Sequence, residues 1–337
     1  MNRLVDRIDR LQQRHGVLGV PYAVVRKYID DGGGREAALI TYYGFLSIFP
    51  LLLLGVTIVS RVLGERPDLR HRLVVAIVPP ALQETVEGAA AAMPTSPVPL
   101  MIGLIGLLLS GTGVVFSAHR TLNHVAAVPW RLRGILSGYL RVLLVLVVLL
   151  VGAVAVGALT VVITALPRLP QLLQGGAVLC SCLIVFGVLM LAARLLLSRP
   201  VPPGSLWPAA VPGSIAVTLV LNAGAAVLPG LIRRAGAVYG SFATVAGMFT
   251  LLYLLGMALV FSAEIAAVRQ ARLWPRAIDV DRPTEADVLA LGLLAREQER
   301  TAAHRIQSRL DVATVPEPPG PVHRPSTRET ARERHHR

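Results

Sequence analysis

Residues 142–166 read VLLVLVVLLVGAVAVGALTVVITAL, a stretch of 25 residues without a charged side chain. As an α-helix this stretch is about 37 Å long, enough to cross the hydrocarbon core of a bilayer. It lies inside a longer interval, between Glu87 and Glu264, in which 176 consecutive residues contain neither Asp nor Glu. Because a carboxylate in hydrocarbon costs on the order of 3 kcal/mol, this interval predicts a lipid-embedded domain.

The composition of the whole chain agrees with a membrane protein. Hydrophobic residues make up 54% and charged residues 16% of the sequence, whereas charged residues are about 25% of a typical soluble protein. The net charge of +13 is spread over many loops. Positive-inside bias and attraction to anionic lipid headgroups explain that charge, so we expect membrane lipids and no nucleic acid as partners.

Apolar stretches of membrane-spanning length recur six times along the chain. They predict an all-α, polytopic membrane protein whose six-helix transmembrane domain occupies residues 37–268. The predicted spans are approximately residues 37–60, 98–118, 142–166, 175–193, 206–232 and 238–267.

Charged segments flank this domain. We expect residues 1–36 to be an amphipathic N-terminal segment and residues 269–311 a cytoplasmic amphipathic helix, with residues 312–337 a disordered tail rich in Pro, Arg and His. The apolar positions at helical spacing are Leu4, Ile8 and Leu11 in the first segment and Val288, Leu291 and Leu294 in the second.

The distribution of basic residues predicts the orientation. With both termini on one side, that side carries 26 Lys and Arg residues and the opposite side carries 7. The positive-inside rule then predicts cytoplasmic termini. Of the 33 basic residues only Lys27 is lysine, which is typical of high-GC bacterial genomes, so we expect the bacterial inner membrane.

Polar residues inside the first and last spans are candidates for a functional face. Tyr43, Ser47 and Pro50 share one face of the first span at positions i, i+4 and i+7. They indicate either a polar strip along a substrate path or a helix bend with interhelical packing.

In the last span, Thr250, Tyr253 and Glu264 lie within roughly 40° of one line, which we expect to face the bundle interior. Glu264 could be a buried proton-coupling or substrate-binding carboxylate. The alternative is a structural partner for Arg120 or Arg194.

Other polar and small residues have simpler interpretations. Arg120, Asn123 and Arg194 are candidate headgroup contacts. Gly111 and Gly113, and the GxxxG pair Gly236 and Gly240, predict close helix packing. His119 and His124 are five residues apart with no acid nearby in sequence, so we expect neither a metal nor another cofactor.

Three segments together resemble the YihY/BrkB family of bacterial inner-membrane proteins. They are AALITYYGFLSIFPLLLL at 37–54, TLNHVAAVPW at 121–130 and VYGSFATVAGMFTLLYLLGMALVFSAEIAAV at 238–268. The resemblance covers roughly residues 20–275 and implies six membrane helices without an established biochemical activity. An old label for the family, ribonuclease BN, implies a nuclease. The sequence lacks the carboxylate or His clusters that such chemistry needs, and we do not expect an enzyme.

Two functions remain open from the sequence. The first is a transporter or flippase-like factor for lipid or envelope components. The second is a non-transporting scaffold for envelope assembly, in which the C-terminal segment recruits a cytoplasmic protein. Either could form a homo-oligomer.

Overall fold

The computed structural model describes residues 9, 12, 16–62, 83, 88, 97–128, 135–165, 171–197, 202–279, 282–299 and 304–306. The described residues form eight long helices and no strand. They are α1 (Gly16–Asp30), α2 (Gly33–Val62), α3 (Val98–Val125), α4 (Ile135–Ala165), α5 (Gln171–Leu196), α6 (Pro203–Tyr239), α7 (Ser241–Ala271) and α8 (Glu285–Glu297).

Helices α2 to α7 are each long and apolar enough to cross a membrane, which confirms the six predicted spans. The membrane-length segments are Gly33–Ile58, Val98–Val125, Leu140–Leu159, Gly175–Leu196, Gly204–Gly236 and Ser241–Ala271. Consecutive helices contact each other from α2 to α7, and α7 returns to α2, which closes a ring. Helix α3 also contacts α5 and α7 across this ring. The ring is therefore a packed bundle.

Glycines bring α2 and α3 close together. A Cβ atom at Gly113 would lie 2.3 Å from Cδ1 of Tyr43, and one at Gly106 would lie 3.0 Å from Cβ of Pro50. Farther along the contact, Gly103 faces the backbone of Leu54 at 3.1 Å. Only a residue without a side chain leaves room for such an approach.

The GxxxG pair has a different role from the predicted helix packing. Gly240 forms the connection between α6 and α7 with φ 57° and ψ −137°, a conformation that favours glycine. Among the residues that the structure describes, none lies within 4 Å of a Cβ atom built at Gly236 or Gly240, so the predicted close packing is not formed between described helices. Helices α6 and α7 instead approach each other at Gly224, which faces Leu251, and at Gly247, which faces Leu228.

Helices α1 and α8 lie together at one end of the ring, here called the terminal side. Ala23 and Val24 of α1 belong to one apolar cluster. The other buried members are Val268 of α7, Leu273 in the segment after α7, and Ala290 of α8. Both described ends of the bundle are therefore on the same side.

The C-terminal segment contains less helix than predicted. Helix α7 ends at Ala271, and α8 begins only at Glu285, where Thr284 and Asp287 form a capping box. The single amphipathic helix predicted over 269–311 is therefore wrong.

The apolar stripe predicted on that segment divides between two environments, since Leu294 is half-buried and lines a small cavity on the terminal side. Val288 and Leu291 are exposed, whereas Ala286 and Ala290 are buried and Leu293 packs on the cluster. The small side chains face inward because they allow α8 to lie close to the bundle. The predicted stripe Leu4, Ile8 and Leu11 and the predicted disordered tail 312–337 lie outside the described residues.

The glycine contact between α2 and α3 predicts a stability effect. Replacing Gly113 by Ala forces the Tyr43 ring to move and should destabilise the protein by about 1–3 kcal/mol. Gly157→Ala in α4 is the matched control, because nothing lies within 4 Å of its Cβ position. Thermal unfolding in detergent measures both variants. Equal melting temperatures for the two would contradict this packing.

Candidate functional site

Lys27 of α1 is buried and its ammonium group contacts three acceptors from three parts of the chain. It forms an ion pair with Asp31 in the turn after α1, lies 3.0 Å from Oε2 of Glu264 in α7, and donates to the Val125 carbonyl of α3 at 3.2 Å. The ammonium group donates hydrogen bonds to Asp31 and to the Val125 carbonyl, and its contact with Glu264 is an ion pair. We call Lys27, Asp31 and Glu264 the Lys27 cluster.

Glu264 is the most deeply buried charged residue of this cluster. Its relative exposure is 0%, compared with 7% for Lys27 and 4% for Asp31. The sequence predicted Arg120 or Arg194 as its structural partner. That prediction is wrong, because both arginines are exposed and the partner is Lys27. Helix α1 extends beneath the end of α7 and carries the lysine there, a placement that the apolar spans alone do not reveal.

His124, near the end of α3, extends the polar contacts toward α8. Its Nδ1 lies 2.6 Å from Oε2 of Glu297, and its Nε2 lies 3.0 Å from the Asp31 carbonyl. Since a carbonyl and an ionised carboxylate only accept hydrogen bonds, both ring nitrogens must donate, and the imidazolium form satisfies this geometry. His124 thus connects the C-terminal helix to the turn that carries Asp31.

A second set of ion pairs centres on Arg276, in the segment between α7 and α8. Its side chain is buried and pairs with Asp30 at 2.8 Å and with Asp287 of α8. Asp287 also accepts hydrogen bonds from the backbone N–H groups of Ala277 and Thr284, each at 2.9 Å. Arg276 and Asp287 therefore fasten α8 to α1 as well as to its own preceding segment.

The hydrogen bonds also set the acidity of Asp287. Burial alone would raise the pKa of this carboxyl, but the bonds from Ala277, Thr284 and Arg276 outweigh burial and lower the pKa below its usual value. Because the pKa is lowered in the folded state, the contribution of Asp287 to stability is present at neutral pH. It is lost as the pH falls through the lowered pKa.

These two sets of ion pairs form a continuous polar layer on the terminal side. Above it, within the ring, lies a cavity of about 150 Å³. All six membrane helices contribute to its wall, including Ile40 of α2 and Val260 of α7. Its described lining residues are apolar except for Thr121 and Ser262. Thr121 donates a hydrogen bond of 2.8 Å to the buried carboxylate of Glu36 at the start of α2.

The predicted polar face of the first span is largely a helix contact. Tyr43 and Pro50 pack against Gly113 and Gly106 of α3, and the Ser47 hydroxyl donates to the Tyr43 carbonyl at 2.9 Å. The predicted substrate path along these residues is therefore filled by α3. In α2 the cavity is lined by Ile40 instead.

The predicted face of the last span divides into two parts. Tyr253 is half-buried, with its hydroxyl 3.6 Å from the Cβ position of Gly34, and it belongs to the same end of the bundle as Glu264. Thr250 is exposed, so its predicted inward orientation is wrong. Its hydroxyl donates to the Ala246 carbonyl of its own helix at 2.8 Å, which satisfies it without a partner from the bundle.

The candidate headgroup residues have different environments. Arg120 and Arg194 are exposed. Asn123 donates to the carbonyl groups of His119 at 2.6 Å and Leu196 at 3.2 Å, so it joins α3 to the end of α5. Of the glycines predicted to pack closely in α3, Gly111 faces Leu146 of α4, where a Cβ would lie 2.4 Å from Cδ1.

Sequence reasoning missed Lys27 and Asp31 as site residues. Two signals were present: Lys27 is the one lysine of the sequence, and Asp31 follows it at i+4, a spacing that suits an ion pair on a helix. Both residues lie outside the apolar spans, where charged side chains are common. Within the described ranges, His, Cys, Asp and Glu side chains form no group of three that could hold a metal ion.

The Lys27 cluster contains two carboxylates and one ammonium group. We therefore expect substitution of the lysine to reduce stability more than substitution of one carboxylate. Lys27→Met leaves two carboxylates buried without a cation and should cost about 3–5 kcal/mol of stability. Glu264→Gln leaves the Lys27–Asp31 pair intact and should cost about 1 kcal/mol or less. Denaturant unfolding in detergent measures both, with the exposed Arg120→Gln as control. Equal losses for the two substitutions would show that the carboxylates do not share one cation.

The family of the chain follows from comparison with known proteins. A family model described as Virulence factor BrkB matches residues 24–285. The matched region includes all six membrane helices and the whole Lys27 cluster. No curated protein and no solved structure shows significant similarity to the chain. The family match confirms the resemblance seen in the sequence, and the chain belongs to the BrkB family of multi-pass membrane proteins.

Proposed function

We propose that this protein is a transporter or flippase-like factor that acts on a lipid or an amphipathic envelope component. The observation that supports the proposal is the apolar cavity lined by all six membrane helices. A bundle that only anchors other proteins gains stability from filling such a space, because an empty cavity forfeits packing contacts.

The size and lining of the cavity suit a hydrocarbon chain. An apolar cavity of about 150 Å³ stays dry and accepts a small hydrocarbon such as benzene, so this one accommodates a segment of an acyl chain. The apolar wall gives a charged headgroup no partner, and transfer of a charge into it would be costly. The headgroup of a bound lipid would therefore stay at an end of the bundle.

Exposed arginines support binding of the headgroup on the terminal side. Arg120 lies near the end of α3 and Arg194 near the end of α5, and Ala118 and Ala193, close to them in sequence, line the cavity. Arginine suits phosphate oxygens because its planar group donates two parallel hydrogen bonds. We also propose, from the excess of basic residues on this side, that the terminal side is cytoplasmic and that the membrane is the bacterial inner membrane.

Filling the cavity tests the proposal. Ala210, which is buried in α6 and lines the cavity, should lose at least about tenfold of any lipid-transfer activity when it is replaced by Phe. Transfer is measured with fluorescent phospholipids in reconstituted vesicles. The matched control is Ala153→Phe on α4, because Ala153 is exposed.

Two results of this experiment would count against a transporter. The first is lipid movement by the intact protein that equals movement in empty vesicles. The second is an equal effect of Ala210→Phe and Ala153→Phe, which would place the lipid path outside the cavity.

A scaffold is the second candidate function. It is supported by the exposed apolar side chains Val288, Leu289 and Leu291 on α8, which face away from the bundle and could receive a protein partner. Removing residues 276–337 would also remove Arg276 and Asp287, which hold α1 and α8 to the bundle. A sharper test must therefore leave α8 in place.

Surface substitutions on α8 meet that requirement. The double substitution Val288→Ser and Leu291→Ser should abolish partner recruitment by a scaffold, while melting temperature and lipid transfer stay unchanged. Cross-linking in cells and the vesicle assay measure the two properties. An envelope phenotype that survives the double substitution would argue against the scaffold.

A further inference from the structure

We propose that the Lys27 cluster is a proton-binding site, in which Glu264 takes up a proton beside the ion pair of Lys27 and Asp31. The inference goes beyond the proposed function and does not depend on it, because it rests on the charges and contacts of the terminal side alone.

The first argument is the count of charges in the polar layer. Asp30 and Asp287 together have two cations, since Arg276 pairs with both of them and Arg26 lies 3.4 Å from Asp30. Glu297 is paired with His124. Asp31 and Glu264, the two most buried of these carboxylates, have one cation between them. A buried site with two carboxylates and one ammonium carries an uncompensated negative charge, and a proton removes it at the lowest cost.

The second argument is the state of the Glu264 oxygens. Within the described part of the chain neither oxygen has a hydrogen bond of good geometry, although Oε2 lies within ion-pair distance of Lys27. Oε1 is fully buried and faces no donor there. An ionised carboxylate normally accepts several hydrogen bonds, whereas a neutral carboxylic acid needs fewer. The poor solvation of Oε1 therefore suits the protonated form.

The surroundings of Glu264 provide groups that exchange or solvate a proton. Helix α1 contributes Lys27 and Tyr28, the following turn contributes Asp31, α3 contributes His124, and α7 itself contributes Tyr253. The negative charge of Asp31 favours proton binding, and the positive charges of Lys27 and His124 oppose it.

The environment of Tyr28 indicates that the region around Glu264 is poorly solvated. Its ring stacks on Phe261 at 4.1 Å, and its hydroxyl is buried without a hydrogen-bond partner in the described residues. Burial, followed by the neighbouring Tyr253 and Glu264, raises the pKa of the Tyr28 phenol. The phenol therefore stays neutral, which leaves Glu264 as the group that takes up the proton in this proposal.

A route for the proton leads from the terminal side. A cavity of about 20 Å³ is lined by Lys27, Asp31, His124 and Arg276. This volume holds about one water molecule. Most of the wall is apolar, including Leu273 and Leu293, and the charged side chains at its edge offer hydrogen bonds to such a water. Such a water would connect the cluster to the ion pairs nearer the surface.

The single lysine of the chain makes the proposal directly measurable. Protein labelled with 13C- and 15N-lysine gives the NMR signal of Lys27 alone. In detergent, between about pH 4 and about pH 9, this signal should shift with one titration step, because the charge next to the ammonium changes. Absence of any shift would overturn the proposal.

Two variants identify the titrating group. Glu264→Gln should abolish the shift, whereas the control Glu36→Gln should retain it, because Glu36 is equally buried but bonded to Thr121. A shift that persists in Glu264→Gln would overturn the assignment.

Asp31→Asn keeps the proposal testable if Glu264→Gln does not fold. Removing the like charge should move the titration midpoint to lower pH by at least about one unit, a tenfold loss of proton affinity. An unchanged midpoint would show that the charge of Asp31 does not act on the proton-binding group, and would overturn the proposal. None of these measurements involves lipid transfer, so their failure is distinguishable from failure of the proposed function.

Discussion

A buried ammonium group needs oppositely charged and hydrogen-bonding partners, and this requirement organises the terminal side of the protein. Lys27 meets it with a carboxylate from its own turn, a carboxylate from the last membrane helix and a carbonyl from the end of α3. Lysine suits this position because its charge is compact and its three donors point in different directions, whereas the flat guanidinium group of arginine favours paired acceptors in one plane. The contact fixes α1 beneath α3 and α7, and α8 is then held by α1.

The molecule thus divides its interactions between two regions. Within the membrane, helices associate through glycines and small residues, because apolar side chains gain little from leaving lipid for one another. At the terminal side, charged residues of α1, α8 and the neighbouring segments pair with one another and with Glu264 and His124 at the ends of membrane helices. The apolar cavity lies where the two regions meet, with Thr121 and Ser262 in its wall and the buried carboxylates of Glu36 and Glu264 next to them. A change of charge or position in the polar layer would therefore alter the wall of the cavity.

The six spans were predictable because hydropathy over about twenty residues is a local property of the sequence. The burial of Glu264 also followed from its place in an apolar run. Its partner Lys27 could not be predicted, because the two residues are far apart in the sequence. In addition, nothing in the local sequence distinguishes a buried charged residue from an exposed one outside the apolar runs. The role of Gly240 was missed for a similar reason, since a GxxxG spacing fits both a packing face and a turn. In α8, the spacing of the large apolar residues picks out Val288 and Leu291, yet both are exposed. The buried positions are the smaller Ala286 and Ala290, because small side chains let α8 lie close to the bundle.

The long-range pairing of Lys27 also has a consequence for biosynthesis. The ribosome completes α1 before any of the six membrane helices, whereas Glu264 belongs to the last of these six and emerges only after the other five. Until then Lys27 has Asp31 as its charged partner, and α1 cannot adopt its final position under α7. The nascent chain must therefore keep its first helix in water or at the headgroups while five further segments insert, and the last insertion event completes the folded molecule.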